Sequence, residues 1–220
     1  MKNIHITREV ITWLLLLLPF AYIAYVWAQL PYQIPIHFDI HGSPNNWGSK
    51  NAIFLLPGVN ILVYVILMFL PSIDPKRMNS DEINSMLVKV RVVAAFFLSL
   101  LSLFITYISV HGSNQELTRW VLIICLLMFT AIGNFLINIK PNWLIGMRTP
   151  WTLSSDAVWK KTHQIVGRMW FFGGLLCAVL VYFFIDQAAY IILPFIAGSV
   201  AFSFGYSFWL YKKEQQKNMQ

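Results

Sequence analysis

The chain has 220 residues, of which 58% are hydrophobic and only 11% charged, with a formal net charge of +7. A soluble domain of this size carries about 25% charged residues, so an ordinary soluble fold is excluded and a lipid-facing surface is implied. The basic residues are dispersed in short clusters between apolar runs, the usual pattern of membrane loops, which argues against a nucleic-acid partner.

About 20 apolar residues span the hydrocarbon core at 1.5 Å each. Six runs reach that length, at 11–30, 52–70, 92–110, 120–139, 169–185 and 188–211, and none contains Asp, Glu, Lys or Arg. The sequence therefore predicts an all-α integral membrane protein with six transmembrane helices. Lys2 and Arg8, followed by an apolar stretch and Val26-Trp27-Ala28, also fit a signal peptide, but the stretch is long for that role and is read as a retained helix. Orientation follows from Lys and Arg in the intervening segments: taken alternately they sum to fourteen (2, 4, 5 and 3) against two, Lys50 and Arg119. The rich side goes inside, giving an N-in/C-in chain. The nine Trp fall near span ends or in loops, as interfacial anchoring requires.

The first module is 1–70, a helix-loop-helix with an extracellular loop at 31–51. Ile34, Ile36, Phe38 and Ile40 alternate with Pro35, His37, Asp39 and His41, a period of two that predicts a short strand with one apolar face lying on the outer membrane surface. Gly42 to Asn46 read as a turn, and Trp47 returns the chain to the interface. His37 and His41, about 13 Å apart on an extended strand, cannot easily close on one ion unless the strand bends, so no metal is assigned. A polar face that meets a partner is the reading, with Tyr32, His37, Phe38, Asp39, His41 and Trp47 as candidates.

Residues 71–119 form a cytoplasmic connector and the third helix, with a short helix expected after Ser80. Ser99, Ser102, Thr106 and Ser109 share a face in the third span; Asn134 and Asn138 sit a turn apart in the fourth; Ala197, Ala201, Gly205 and Ser199, Ser203, Ser207 make two stripes in the last. Packing and interhelical hydrogen bonds explain these better than a polar path. Pro19 and Pro194 are expected to kink their helices, and Cys125 and Cys177 behave as small hydrophobes, with a bridge between facing helices left open. With no ionisable group at depth, ion-coupled transport falls and a binding, blocking or signalling role rises.

The module 120–220 contains the richest loop, 140–168. Thr152 or Ser154 is placed to cap a helix starting near Ser155, with Asp156 in its first turn. Trp159, His163, Val166 and Trp170 then share one face, predicting a cytoplasmic amphipathic helix that feeds the fifth span. His163, Asp156 and Ser154 or Ser155 are the residue types of a triad, but their spacing fits no such motif, and no catalytic residue and no cofactor is assigned.

The run G-M-R-T-P-W-T-L (Gly146 to Leu153), followed by Val158, Trp159, Thr162, His163 and Gly167, resembles the signature of the SdpI family. The loop I-P-I-H-F-D-x-x-G-x-P-N-x-W-G-S-K resembles a domain of unknown function often found in front of it. The resemblance implies a multi-pass protein of the bacterial plasma membrane that protects its producer from a secreted, membrane-active peptide toxin. Some members also act as receptors that hold a cytoplasmic autorepressor at the membrane. On this reading the partners are a peptide toxin at the outer loop, membrane lipids, and a repressor at the inner signature, where Gly146, Arg148, Thr149, Pro150, Trp151, Trp159, Lys160, Lys161 and His163 are the docking candidates. A membrane enzyme or lipid transporter using His163 is the third reading.

Overall fold

A computed structural model describes residues 2–39, 44–73, 81–113, 115–142 and 145–218. Seven α-helices and two strands follow in chain order: α1 (Lys2–Val26), β1 (Gln33–Phe38), β2 (Pro44–Ser49), α2 (Leu55–Ile73), α3 (Asp81–His111), α4 (Gln115–Leu136), α5 (Pro150–Ser154), α6 (Asp156–Phe183) and α7 (Ala188–Asn218). All but α5 are long and apolar enough to cross a membrane. The six expected spans are therefore present as helices, all but α2 longer than the apolar runs that revealed them, because a helix continues for as long as its backbone is paired and needs apolar side chains only where lipid touches it.

The helices alternate in direction and gather into two groups. In the first, α1 and α2 pack on α3. Asn60 of α2 donates to Ala95 O (3.2 Å) and Ser99 Oγ (2.9 Å) of α3, and Ser99 Oγ donates to Leu15 O of α1 (2.7 Å). In the second, α4 and α6 lie side by side with α7 against α6. A Cβ built on Gly133 would lie 2.6 Å from Phe171 N, and one on Gly167 2.7 Å from Gly133 O, so only glycine allows the α4 and α6 backbones to approach this closely.

The polar stripes resolve as packing. Ser199, Ser203 and Ser207 face the bundle, and Ser203 returns its hydroxyl proton to Ser199 O at 2.6 Å. Ala197, Ala201 and Gly205 face outward instead, as do Asn134 and Asn138. α1 and α7 run on through Pro19 and Pro194. Cys125 and Cys177 are both free.

Two expectations are corrected. The short helix after Ser80 is the first part of α3. That extension brings a charge into the bundle: Arg91, with an 11% exposed side chain, donates to Glu9 Oε1 of α1 at 3.0 Å, and Tyr64 of α2 donates to the other carboxylate oxygen. The chain thus has a partly buried ion pair where the apolar runs suggested none. Runs of hydropathy end at the first charge, whereas pairing partners 82 residues apart in sequence are set by the packing.

The second correction concerns 156–170. No separate surface helix exists there among the described residues: this stretch is the first half of the 28-residue α6. Trp159, His163 and Val166 are fully buried against other helices, so the face that reads as amphipathic is a core face. Trp159 is accordingly no interfacial anchor.

Candidate functional site

Two places collect the residues singled out by sequence, one at each end of the bundle. At the first end β1 and β2 form an antiparallel hairpin. Its base is fixed to the helices: Ile34 packs with Ile23, Val26, Leu30 and Ile53, and Lys50 N donates to Tyr32 O at 3.0 Å. β2 covers residues expected to form a turn. The strict period of two also fails, because the register slips on either side of His37. Pro35 as well as Ile34 is buried, and Ile36, expected on the apolar face, is 51% exposed. A bulge turns side chains out of alternation in this way.

The slip aims His37, Phe38 and Asp39 at the helix ends. With Asn45 they line a cavity of about 530 Å³ whose other walls are Ile108 of α3, Thr118, Val121 and Leu122 of α4, Ile185, and Ala188, Ala189, Ile192 and Leu193 of α7. His37 Nδ1 lies 2.6 Å from Asn45 Oδ1, which holds the imidazole at the rim. The cavity is apolar on the helix side and polar on the hairpin side, and its volume is that of an ordinary ligand pocket. Of the other outer candidates, Tyr32 is 93% exposed and Trp47 is exposed, both away from this cavity, while His41 lies outside the described residues. Asn45, Thr118 and the 185–193 segment escape sequence reasoning because each is unremarkable in its own stretch of chain.

At the opposite end the segment 145–163 forms a tightly bonded knot. Gly146 has a φ of 122°, and a Cβ there would lie 2.5 Å from His163 Nε2, so both backbone and space demand glycine. Met147 N then donates to His163 Nε2 at 2.8 Å, and His163 Nδ1 donates to Trp159 O at 2.9 Å. An acceptor role at Nε2 with a donor role at Nδ1 defines a neutral ring in one tautomer. The ring stacks on Trp159 at 4.1 Å, and the Trp159 indole N–H donates to Ile139 O at 3.0 Å.

Thr149 caps α5 in a reciprocal box with Thr152, Pro150 occupies the first helical turn, and Thr152 Oγ1 donates to Met147 O at 2.7 Å. Trp151 donates its indole N–H to Ser207 of α7. Ser155, rather than Thr152 or Ser154, caps α6, accepting from Val158 N at 3.2 Å. The inner candidates therefore divide. Gly146, Thr149, Pro150, Trp151, Trp159 and His163 build the knot, while Arg148, Lys160 and Lys161 are exposed around it. Neither Ser154 nor Ser155 reaches His163: Ser154 donates to Trp151 O, and both imidazole nitrogens are taken by backbone groups. Ser207, the backbone of Met147 and the carbonyl of Ile139 complete the knot; the sequence places Ser207 only in a packing stripe more than fifty residues away, and the other two act through the main chain.

Residues 138–207 match the SdpI/YfhL protein family, and residues 14–61 match the domain of unknown function DUF1648. Over 210 residues the chain is 24% identical to "Immunity protein SdpI" of Bacillus subtilis (strain 168), covering 94% of this chain and 97% of that protein. No solved structure matches. The knot around His163 falls within the stretch that matches the SdpI/YfhL family model and the hairpin within the DUF1648 match, and the chain is a multi-pass bacterial membrane protein similar over these stretches to both.

Proposed function

We propose that this protein protects its bacterium from a secreted, membrane-active peptide by binding it at the hairpin end of the bundle, which faces outward. The immunity role of the relative from Bacillus subtilis supports the general role. The orientation rests on the fourteen-to-two distribution of Lys and Arg. The observation that carries the reading is the cavity, where His37, Phe38 and Asp39 of the hairpin meet an apolar wall made by three helices. A membrane-active peptide presents apolar side chains along a polar backbone, and this cavity offers an apolar floor with polar groups at one rim. Binding needs no buried proton relay, in keeping with a His163 whose nitrogens are both committed.

The test is protection of a sensitive strain exposed to the toxin. Wild-type protein is expected to restore growth and membrane potential; Ala189→Trp, which fills the cavity, is expected to lose most of that protection at unchanged expression. Equal protection by wild type and A189W would remove the cavity from the mechanism, and no protection by wild type would remove the reading altogether.

A second role, recruitment of a cytoplasmic repressor, is favoured by one feature: Arg148 and Lys160 stand exposed on a rigid scaffold instead of being used to build it. Arg148→Ala with Lys160→Ala is expected to abolish recruitment while protection persists. Joint loss of both would show that these side chains serve the fold.

A further inference from the structure

The end of the bundle opposite the hairpin has a second concavity that neither the family match nor the immunity reading uses. It is a groove of about 360 Å³ between the start of α6 and the end of α7. Ala157, Val158 and Leu210 form an apolar floor, and Lys161, Lys213 and Lys217 stand around it with Glu214 as the one acidic group. Three positive charges against one negative, at the mouth of an apolar slot, select an anion that carries an apolar body.

Height decides what kind of anion. From Ala188 at the hairpin end, Leu210 lies about 33 Å along α7, Lys213 about 38 Å and Lys217 about 44 Å at the helical rise. The hydrocarbon core is about 30 Å thick and the bilayer with its headgroups about 40–45 Å. The groove floor therefore sits at the edge of the hydrocarbon and the lysines at headgroup level. Local aromatic contacts mark the same level: Lys213 Nζ lies 5.2 Å from the Trp209 ring centre, and Lys212 Nζ 5.8 Å from that of Phe208. Trp209 is itself exposed, as a ring in the headgroup belt is.

We infer that this groove is a binding site for one anionic phospholipid, its phosphate held by Lys161, Lys213 and Lys217 and its acyl-glycerol portion laid on Val158 and Leu210. Basic clefts between transmembrane helices hold anionic headgroups by charge, while the apolar floor excludes freely soluble anions. The assignment needs only the height of the groove and its charges, and holds whether or not the protein binds a toxin.

The experiment is native mass spectrometry of the delipidated protein in detergent, titrated with phosphatidylglycerol, phosphatidylcholine or inorganic phosphate. Wild type is expected to hold one phosphatidylglycerol at least about tenfold more tightly than phosphatidylcholine, given the attraction of several lysines for an anionic headgroup. Lys161→Gln/Lys213→Gln/Lys217→Gln is expected to erase that preference, and the corresponding triple Arg variant to keep it. Removing three charges elsewhere, Lys89→Gln/Lys140→Gln/Arg168→Gln, is expected to leave it unchanged. The assignment fails if the groove variant keeps the preference, if the control variant loses it equally, or if inorganic phosphate competes as well as the lipid. It also fails if the groove variant keeps its lipid and loses only the capture of an acidic soluble protein, which would assign the groove to a protein partner. Helical content by circular dichroism, unchanged in all variants, separates loss of the site from loss of the fold.

Discussion

For single residues, the inner knot shows how a short string of sequence acquires its meaning. Gly146 serves a carbon-free approach to an imidazole, at a backbone angle that side chains avoid. Gly146→Ala is expected to cost about 1–3 kcal/mol, read as a lowered midpoint in thermal unfolding of the detergent-solubilised protein. His163→Phe keeps a ring against Trp159 but strands the Met147 N–H, and is expected to destabilise by about 1–3 kcal/mol. An enzyme whose chemistry used this histidine would instead lose turnover at unchanged stability, so the same unfolding measurement separates the structural role from the catalytic one. At Arg91 the cost comes from charge. Among the described residues, Arg91→Leu leaves Glu9 with Tyr64 as its side-chain partner, and because Glu9 is more than a third exposed the loss is expected to stay at about 1–2 kcal/mol.

Among the elements, the glycines of α4, α6 and α7 separate into those that permit a contact and those that do not. Gly133 and Gly167 let two backbones touch, and Gly174 sits against Thr130 Oγ1, where a Cβ would lie 2.6 Å away. Around Gly198 and Gly205 the space a Cβ would occupy is open, with nothing within 4 Å. Gly167→Ala is therefore expected to destabilise by about 1–3 kcal/mol through overpacking, and Gly205→Ala to be neutral or slightly stabilising through helix propensity. Parallel unfolding curves of the two variants check both. Both glycines lie in apolar helical stretches, and only the facing helix distinguishes them. For the same reason Ala197, Ala201 and Gly205, which read as a contact stripe, turn outward while the neighbouring serines turn inward.

Across the molecule, six alternating helices put the hairpin and its cavity at one end and the knot, the basic groove, the start of α1 and the end of α7 at the other. If the charge rule sets the orientation, Tyr32→Cys is expected to react with a membrane-impermeant thiol reagent in intact cells, and Lys212→Cys only after permeabilisation. Reaction of both from the same side would overturn the proposed division of labour. Tyr32 suits the assay because it is almost fully exposed.

The number and approximate place of the spanning helices are legible in the chain alone, because hydrocarbon imposes a length and an apolarity that no other environment demands together. The two segments where unusual residues concentrate, around 31–51 and 146–167, are legible in the same way. His37, Phe38 and Asp39 stand out among the outer candidates, but the cavity they line depends on a register slip and on three helix ends drawn from 108–193, which no local pattern encodes. That Trp159 and His163 face inward, that Arg91 finds Glu9, and that Ser207 receives Trp151 emerge only when the helices are assembled. In a membrane, a helix has the same apolar composition on its lipid side and its protein side. Periodicity therefore loses the contrast that would reveal which face is buried, and the missing information is supplied by the partner helix.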